Sequence, residues 1–192
     1  MLCIPKKNGK LCTVINCRKR NDNTVKDVTP FPDQDQIRLD VARASFRSKI
    51  DMSDAYEQIW VEPEDVDKTA FTTVYGTFIS HTMQQGDCNA PATFQWIMTM
   101  VFHEYIGQFV HVYLDDIFVF SSSIEEHETH LRLVSDQLQK FSFFLQEEKC
   151  QLYASKMDCL GHLIDDKGLH CDTDKLSRIR NWREPRTYLD VQ

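Results

Sequence analysis

Apolar and polar positions alternate unevenly along this chain, and the clearest pattern lies near its middle. From Phe109 to Phe120 two apolar arms, Phe109–Leu114 and Ile117–Phe120, enclose Asp115 and Asp116. Each arm is rich in Val, Phe and Ile, which predicts a strand, and the pair predicts a hairpin with an acidic tip. Leu11 to Ile15 predicts a short strand. Pro30 and Pro32 break the chain, and Asp33 to Ala44 reads as a helix. Phe46 to Ile50 predicts a strand ending at Asp51. Lys68–Val74 and Phe78–Thr82 flank Tyr75-Gly76 as a second hairpin. Asn89-Ala90-Pro91 predicts a helix start, with a capping side chain and then Pro in the first turn, where its missing N–H costs little. Apolar residues at 94, 97, 98, 101, 102 and 105 continue it as a helical stripe. Ser123-Ile124-Glu125-Glu126 is a capping box. The helix behind it carries Ile124, Leu131, Val134, Leu138 and Phe141 on one face. Cys159–Ile164 with Gly168-Leu169 suggests another hairpin, and Asp172 to Trp182 a last helix, stopped before Pro185. Strands and helices mix without βαβ alternation. The fold class is therefore α+β, with helices packed on a largely antiparallel sheet.

Composition narrows the classes. At 192 residues the chain holds one full domain or two small ones, and 42% hydrophobic residues supply a core. No apolar run approaches the roughly 20 residues that span a bilayer, so no membrane partner is expected. Met1 to Lys10 is too short and too basic for a secretory signal. Seven cysteines, an odd number without a C-x-x-C pair, suggest neither a disulfide framework nor a zinc ribbon. Reduced thiols point to an intracellular protein of the cytoplasm or nucleus. The net charge of −7 argues at first against a nucleic-acid partner, but its distribution is lopsided. Residues 1–26 carry seven cations against Asp22 alone, a net of +6, and the remainder carries −13. A basic arm on an acidic body suits local phosphate contact, and equally suits a solvated loop.

The Asp115-Asp116 tip holds the candidate chemistry. No Lys or Arg lies within the run to pair with it, so the charges are solvated or neutralised by a cation. Asp51, at the end of another apolar strand, meets the tip if the two strands are neighbours. Three clustered carboxylates would repel one another unless divalent cations bind them. Hard cations such as Mg²⁺ take such oxygens together with substrate phosphates. Two such ions stabilise both the attacking and the leaving oxygens of an in-line phosphoryl transfer. The plain alternatives are a polar turn between buried strands for the pair, and a cap on the Ser53-Asp54 turn for Asp51.

The order of short motifs resembles the reverse transcriptases of gypsy-type LTR retrotransposons and, more distantly, the retroviral enzymes. The resemblance covers nearly all of the chain. It runs from Lys6-Lys7-Asn8-Gly9 through Asp51, Lys68-Thr69-Ala70-Phe71, and Gly86 with Asn89-Ala90-Pro91-Ala92-Thr93-Phe94-Gln95. It then continues through Tyr113-Leu114-Asp115-Asp116 and Lys149-Cys150 to Leu160-Gly161-His162. It implies a right-hand polymerase, with fingers at 1–27 and 59–89, palm at 28–58 and 90–164, and the start of a thumb at 165–192. It also implies an RNA or DNA template with primer, dNTPs, two Mg²⁺ ions (Mn²⁺ as substitute), and further segments of a retroelement polyprotein as partners. Asp51, Asp115 and Asp116 would be the catalytic, metal-binding acids. Asp51 and Asp115 would hold both ions, and Asp116 would shape their field. Tyr56 would be a steric gate against a 2′-hydroxyl, or a core aromatic. Gln85 and Gly86 would contact the nucleotide and template pair, with Lys149 and Lys7 near the triphosphate. Leu160, Gly161 and His162 would form the primer grip.

Three departures stand out. Cys12 lies where the family has a clamping Arg, which a thiol cannot replace, leaving Lys7 or Lys10 to supply charge. Asp87 adds a negative charge beside the expected nucleotide site. Cys159 replaces an aromatic before Leu-Gly. The family builds a full thumb, a connection and an RNase H domain after Gly168. The expectation is thus a polymerase core truncated at both ends that polymerises poorly by itself. The alternative is an inactive retroelement remnant kept as a nucleic-acid or protein binding module.

Overall fold

The computed structural model describes residues 2–5, 11–171 and 173–182. Strands β1 (Leu2–Pro5) and β2 (Leu11–Val14) form an antiparallel hairpin, followed by the short helix α1 (Arg18–Asp22). Helix α2 (Gln34–Arg43) starts where Pro30 and Pro32 predict a new element, and Asp33 caps it by accepting from Asp35 and Gln36 N–H. Strand β3 (Phe46–Asp51) leads into a 3-10 turn, Ala55–Gln58, and a second one, Pro63–Thr69. A small hairpin, β4 (Phe71–Thr73) and β5 (Gly76–Phe78), precedes helix α3 (Ala90–Val101). Then come β6 (Val110–Tyr113), β7 (Asp116–Ser121) and the long helix α4 (Ile124–Lys140). Strands β8 (Lys156–Cys159), β9 (His162–Asp165) and β10 (Gly168–Cys171) form an antiparallel meander, followed by α5 (Thr173–Arg180). Among the described residues no helix is long and apolar enough to cross a membrane.

The central sheet has the order β3-β7-β6, antiparallel throughout. Both of its faces are covered, which explains why Phe109–Phe120 reads as an apolar run rather than an alternation. Ile50, Val112, Ile117 and Val119 face α3 and α4, meeting Phe94, Met98, Phe102, Val134 and Leu138. Phe118 faces the other way, onto Ile37 and Val41 of α2 and Met157, Cys159 and Ile164 of the meander. Ile117, Phe118 and Val119 are each fully buried. Truncating Phe118 to Ala costs about 3–5 kcal/mol by the usual core-deletion scale.

A polar seam crosses the α4 side of this sheet. Ser48 Oγ lies 2.7 Å from His127 Nε2, and Ser121 Oγ lies 2.8 Å from His127 Nδ1 and 2.7 Å from His130 Nδ1. The Tyr153 N–H donates to Ser48 Oγ at 3.0 Å. Burial, and next the neighbouring His130, pull the His127 imidazole down to about 4.

Several elements differ from the sequence pattern. The hairpin expected over 68–82 is confined to 71–78. Lys68 and Thr69 are wound into the preceding 3-10 turn, and the Thr69 hydroxyl binds Val66 O and Ser80 O. Asn89 occupies the N-cap of α3, but its side chain caps nothing. It instead donates to Val25 O and accepts from Asp27 N–H, tying down the 25–27 segment. The Ser123 capping box forms with both of its bonds. Ile124 and Phe141, expected on the buried stripe of α4, are about half exposed because they sit at its two ends. The pattern over 159–164 is the turn between β8 and β9, with Leu160 and Gly161 at φ 50° and 75°. Asp172 and Pro185, expected to bound the last helix, lie outside the described residues.

Candidate active site

β3 and β7 pair so that Asp51 faces Asp116 across the ladder, and β6 sets Tyr113 opposite the same Asp116. The turn between β6 and β7 is only Leu114-Asp115, and Leu114 takes φ 53°, a left-handed conformation that a β-branched residue would resist. Gln95 of α3 holds this turn. Its buried amide donates to Val112 O at 3.1 Å and accepts from Leu114 N–H at 2.7 Å. The Met52 N–H donates to Asp115 O at 3.2 Å, closing the turn against β3. The three acids thus stand at one end of the central sheet by virtue of register.

Their charges are managed unequally. Asp116 forms an ion pair with Lys49 at 2.8 Å, and Asp51 forms one with Lys149 at 3.0 Å. Lys149 reaches Asp51 because the 144–151 segment runs beside β3, with Gln146 N–H donating to Asp51 O and Gln151 bonding Lys49 in both directions. Burial pushes the Asp116 carboxyl up; Lys49 opposes this, and the charges of Asp115 and Asp51 add to it. The Asp115 side chain is exposed and makes no hydrogen bond or ion pair with a described residue. The sequence pattern looked to a divalent cation as neutraliser; here two lysines hold two of the acids. Lys49 escaped notice because its pairing depends on the β3–β7 register rather than on the Asp115-Asp116 run.

A cleft of about 150 Å³ opens beside Asp115. It is lined by Tyr56, Gln85, Asp115 and Lys149, together with Met52, Asp54, Ala55, Glu57 and Gln146. Four of the residues singled out from the sequence therefore share one cavity. The Tyr56 ring packs edge-on against Phe94 with centroids 5.7 Å apart, so it is a core aromatic that also faces the cleft. Burial, and next the charge of Asp115, raise its hydroxyl, which keeps it protonated.

Gly86, at φ +114°, turns away toward 15–21, and Asn21 Nδ2 donates to its carbonyl at 2.9 Å. Asp87 does not stand as a free charge. Arg20 forms an ion pair with it and also donates to Gln84 Oε1 at 2.7 Å, so that departure is compensated from α1. Leu160, Gly161 and His162 do not line the cleft. Leu160 packs on the second core beside Tyr113, and its carbonyl accepts from Arg38 at 3.0 Å. Lys7 lies outside the described residues, as do Lys6, Asn8, Gly9 and Lys10. The side chain of Cys12 is likewise not described.

Among the described residues no group of three or more His, Cys, Asp or Glu side chains is gathered to hold a metal ion. Asp51 and Asp115 nevertheless offer hard carboxylate oxygens. One or two carboxylates are what Mg²⁺ takes when substrate phosphates and water complete its octahedron. The donor chemistry fits such an ion arriving with substrate.

Comparison with known proteins agrees with this geometry. Residues 4–164 match the family described as reverse transcriptase (RNA-dependent DNA polymerase). The chain is 33% identical over 177 residues to the retrovirus-related Pol polyprotein from transposon 297 of Drosophila melanogaster, covering 92% of this chain and 17% of that protein. It is 27% identical over 192 residues to the transposon Tf2-3 polyprotein of Schizosaccharomyces pombe, covering all of this chain and 14% of that one. It thus spans less than a fifth of these curated relatives. Its fold superposes on 99% of its length with the foamy viral protease-reverse transcriptase in complex with ds DNA, at TM-score 0.90 and 24% identity, covering 33% of that chain. That likeness shows the fold, helices packed on antiparallel sheets, which agrees with the expected polymerase fingers and palm. The chain belongs to the reverse transcriptase (RNA-dependent DNA polymerase) family.

Proposed function

We propose that this chain is the fingers-and-palm core of an RNA-directed DNA polymerase of an LTR retroelement, adding dNTPs to a primer 3′-hydroxyl on an RNA or DNA template. The observation that carries the reading is the single cleft in which Asp115, Tyr56, Gln85 and Lys149 meet, at the sheet end where Asp51 faces Asp116. In this reading residues 1–27 and 59–89 are fingers, 28–58 and 90–164 palm, and 165–192 the start of a thumb. Asp51 and Asp115 are the carboxylates that hold Mg²⁺, which supplies charge neutralisation for the attacking and leaving oxygens.

The chain's own residues then have distinct roles. Gln95 fixes the Leu114-Asp115 backbone so that the Asp115 carboxylate projects into the cleft. Tyr56, braced on Phe94, presents a rigid ring where a 2′-hydroxyl would stand. Lys149 moves its ammonium from Asp51 to the triphosphate as the nucleotide enters. Gln85 contacts the nucleotide, and Leu160-Gly161-His162 supports the primer strand from the β8–β9 turn. The primer oxygen attacks the α-phosphorus, the bond to the bridging oxygen breaks, and pyrophosphate leaves. Positioning and electrostatics carry most of the barrier reduction.

Primer extension on an RNA template with Mg²⁺ or Mn²⁺ tests this reading. Extension abolished by Asp115→Asn supports it, while extension that survives the substitution refutes the assignment. Tyr56→Ala adds a second check, since it should raise rNTP incorporation relative to dNTP.

A further inference from the structure

We propose that Lys49 is a positioning residue that withholds Asp116 from the divalent cation, so that the cation site is built from Asp51 and Asp115 alone. The inference rests on the polymerase reading above and assigns a role to a residue outside its motifs.

The placement follows from the sheet. Lys49 and Asp51 are two residues apart on β3, so they share a face. The register sets Lys49 opposite Phe118 and Asp51 opposite Asp116. Lys49 therefore lies on the diagonal from Asp116, within reach of a long side chain. Its Nζ is 2.8 Å from Asp116 Oδ2 and 5.7 Å from the centroid of the Phe118 ring. The backbone of Lys49 is pinned from the opposite edge as well, by reciprocal 2.8 Å bonds with Gln151.

The two lysines of the site differ in what surrounds them. The Lys149 side chain is 55% exposed where it meets Asp51, whereas that of Lys49 is 14% exposed where it meets Asp116. Both carboxylates are largely buried, so the lysines make the difference: the exposed Lys149 ammonium can leave Asp51 for water when a cation takes its place. A pair held mostly out of water resists separation, because parting it strands a charge in a poorly solvated place. An arriving cation thus displaces Lys149 from Asp51 but leaves Lys49 on Asp116. Of the two lysines, only Lys149 lines the cleft beside Asp115, so only its ammonium has open space to move into.

The test is Mn²⁺ affinity of the whole chain, read by electron paramagnetic resonance of the free ion. Lys49→Met keeps a side chain of similar length and releases Asp116. Because affinity follows the number of charged ligands, Mn²⁺ should bind about tenfold more tightly. Lys49→Arg should stay near the wild-type value. Adding Asp116→Asn to Lys49→Met should return the affinity to that value, a result that a purely structural role for Lys49 would not give. Unchanged or weaker binding in Lys49→Met overturns the proposal, as does tightening that persists after Asp116→Asn. Should Lys49→Met fail to fold, Asp116→Asn alone decides: affinity within about twofold of wild type supports the proposal, and a tenfold loss overturns it. Mn²⁺ binding that survives both Asp51→Asn and Asp115→Asn would mark the failure of the polymerase reading itself.

Discussion

The β3–β7 pair has two ends that handle polar groups in opposite ways. At the Ser48–Ser121 end Ser48, Ser121 and His127 are sealed under α4, and with the partly buried His130 the serines and histidines satisfy one another. At the Asp51–Asp116 end two carboxylates are paired with lysines, and the third, Asp115, opens onto a cleft and has no partner among the described residues. A closed network specifies one packing and resists change. An open, imperfectly paired one leaves binding capacity for a substrate. The same two strands thus anchor the domain at one end and present chemistry at the other. The difference predicts that substitutions at the open end cost activity, and that those at the closed end cost stability.

The strongest test of the open end is Asp115→Asn. The exposed carboxylate makes no stabilising pair, so melting should shift little. With the cation-holding role proposed for it, losing this carboxylate should cost several kcal/mol in the transition state, a drop of about a thousandfold or more in primer extension. A large fall in melting temperature with modest loss of activity would break the comparison at once.

The closed end is probed through pH. In the folded chain His127 stays neutral until about pH 4. An unfolded histidine takes up its proton near 6.5. Between those values the unfolded chain binds more protons, so stability rises with pH. It is full above about 6.5 and falls as the pH drops toward 4, by about 3 kcal/mol in total. Urea midpoints at pH 7.5 and 4.5 should show the loss. In His127→Gln the overall stability should be lower and its dependence on pH over this window flatter. Metal affinity measured at pH 7.5 should not follow either change.

Gln95 connects the two behaviours. It is buried in the core yet bonded to the backbone of the acidic turn. Gln95→Met conserves volume and leaves the Leu114 N–H and Val112 C=O without that partner. The expected cost is about 2 kcal/mol of stability. Looser placement of Asp115 should also lower kcat by about ten- to a hundredfold. An effect on stability alone would show that the turn holds its shape without the amide.

The acidic end was legible in the sequence because charge between apolar arms is anomalous, and Asp51, Asp115 and Asp116 announce themselves. The Ser123 capping box and the α2 boundaries were legible for a similar reason: their signals are local. Partners set by register were not. Lys49 and Lys149 reach their acids only through the β3–β7 ladder and the 144–151 segment. Nothing in the isolated residues Ser48, Ser121, His127 and His130 distinguishes a buried seam from four surface positions. Asn89 misled because an amide that can cap a helix can equally bind a distant loop. The pairing of Asp87 was hidden because its partner, Arg20, lies 67 positions away along the chain.

That pair carries the smallest predicted effect. Arg20 and Asp87 are each about one-quarter exposed, and Arg20 also holds Gln84, the residue before the cleft-lining Gln85. Their coupling in a double-mutant cycle of Arg20→Gln and Asp87→Asn should be about 1 kcal/mol, between the values for exposed and buried pairs. Because the 84–88 loop would loosen while the carboxylates stay in place, KM for dNTP should rise several-fold and kcat should hold. A fall in kcat instead would mean that α1 supports the acidic turn as well as the loop. The contrast between the two ends of β3–β7 would then extend to a third element, bound to the site only through Arg20 and its neighbours.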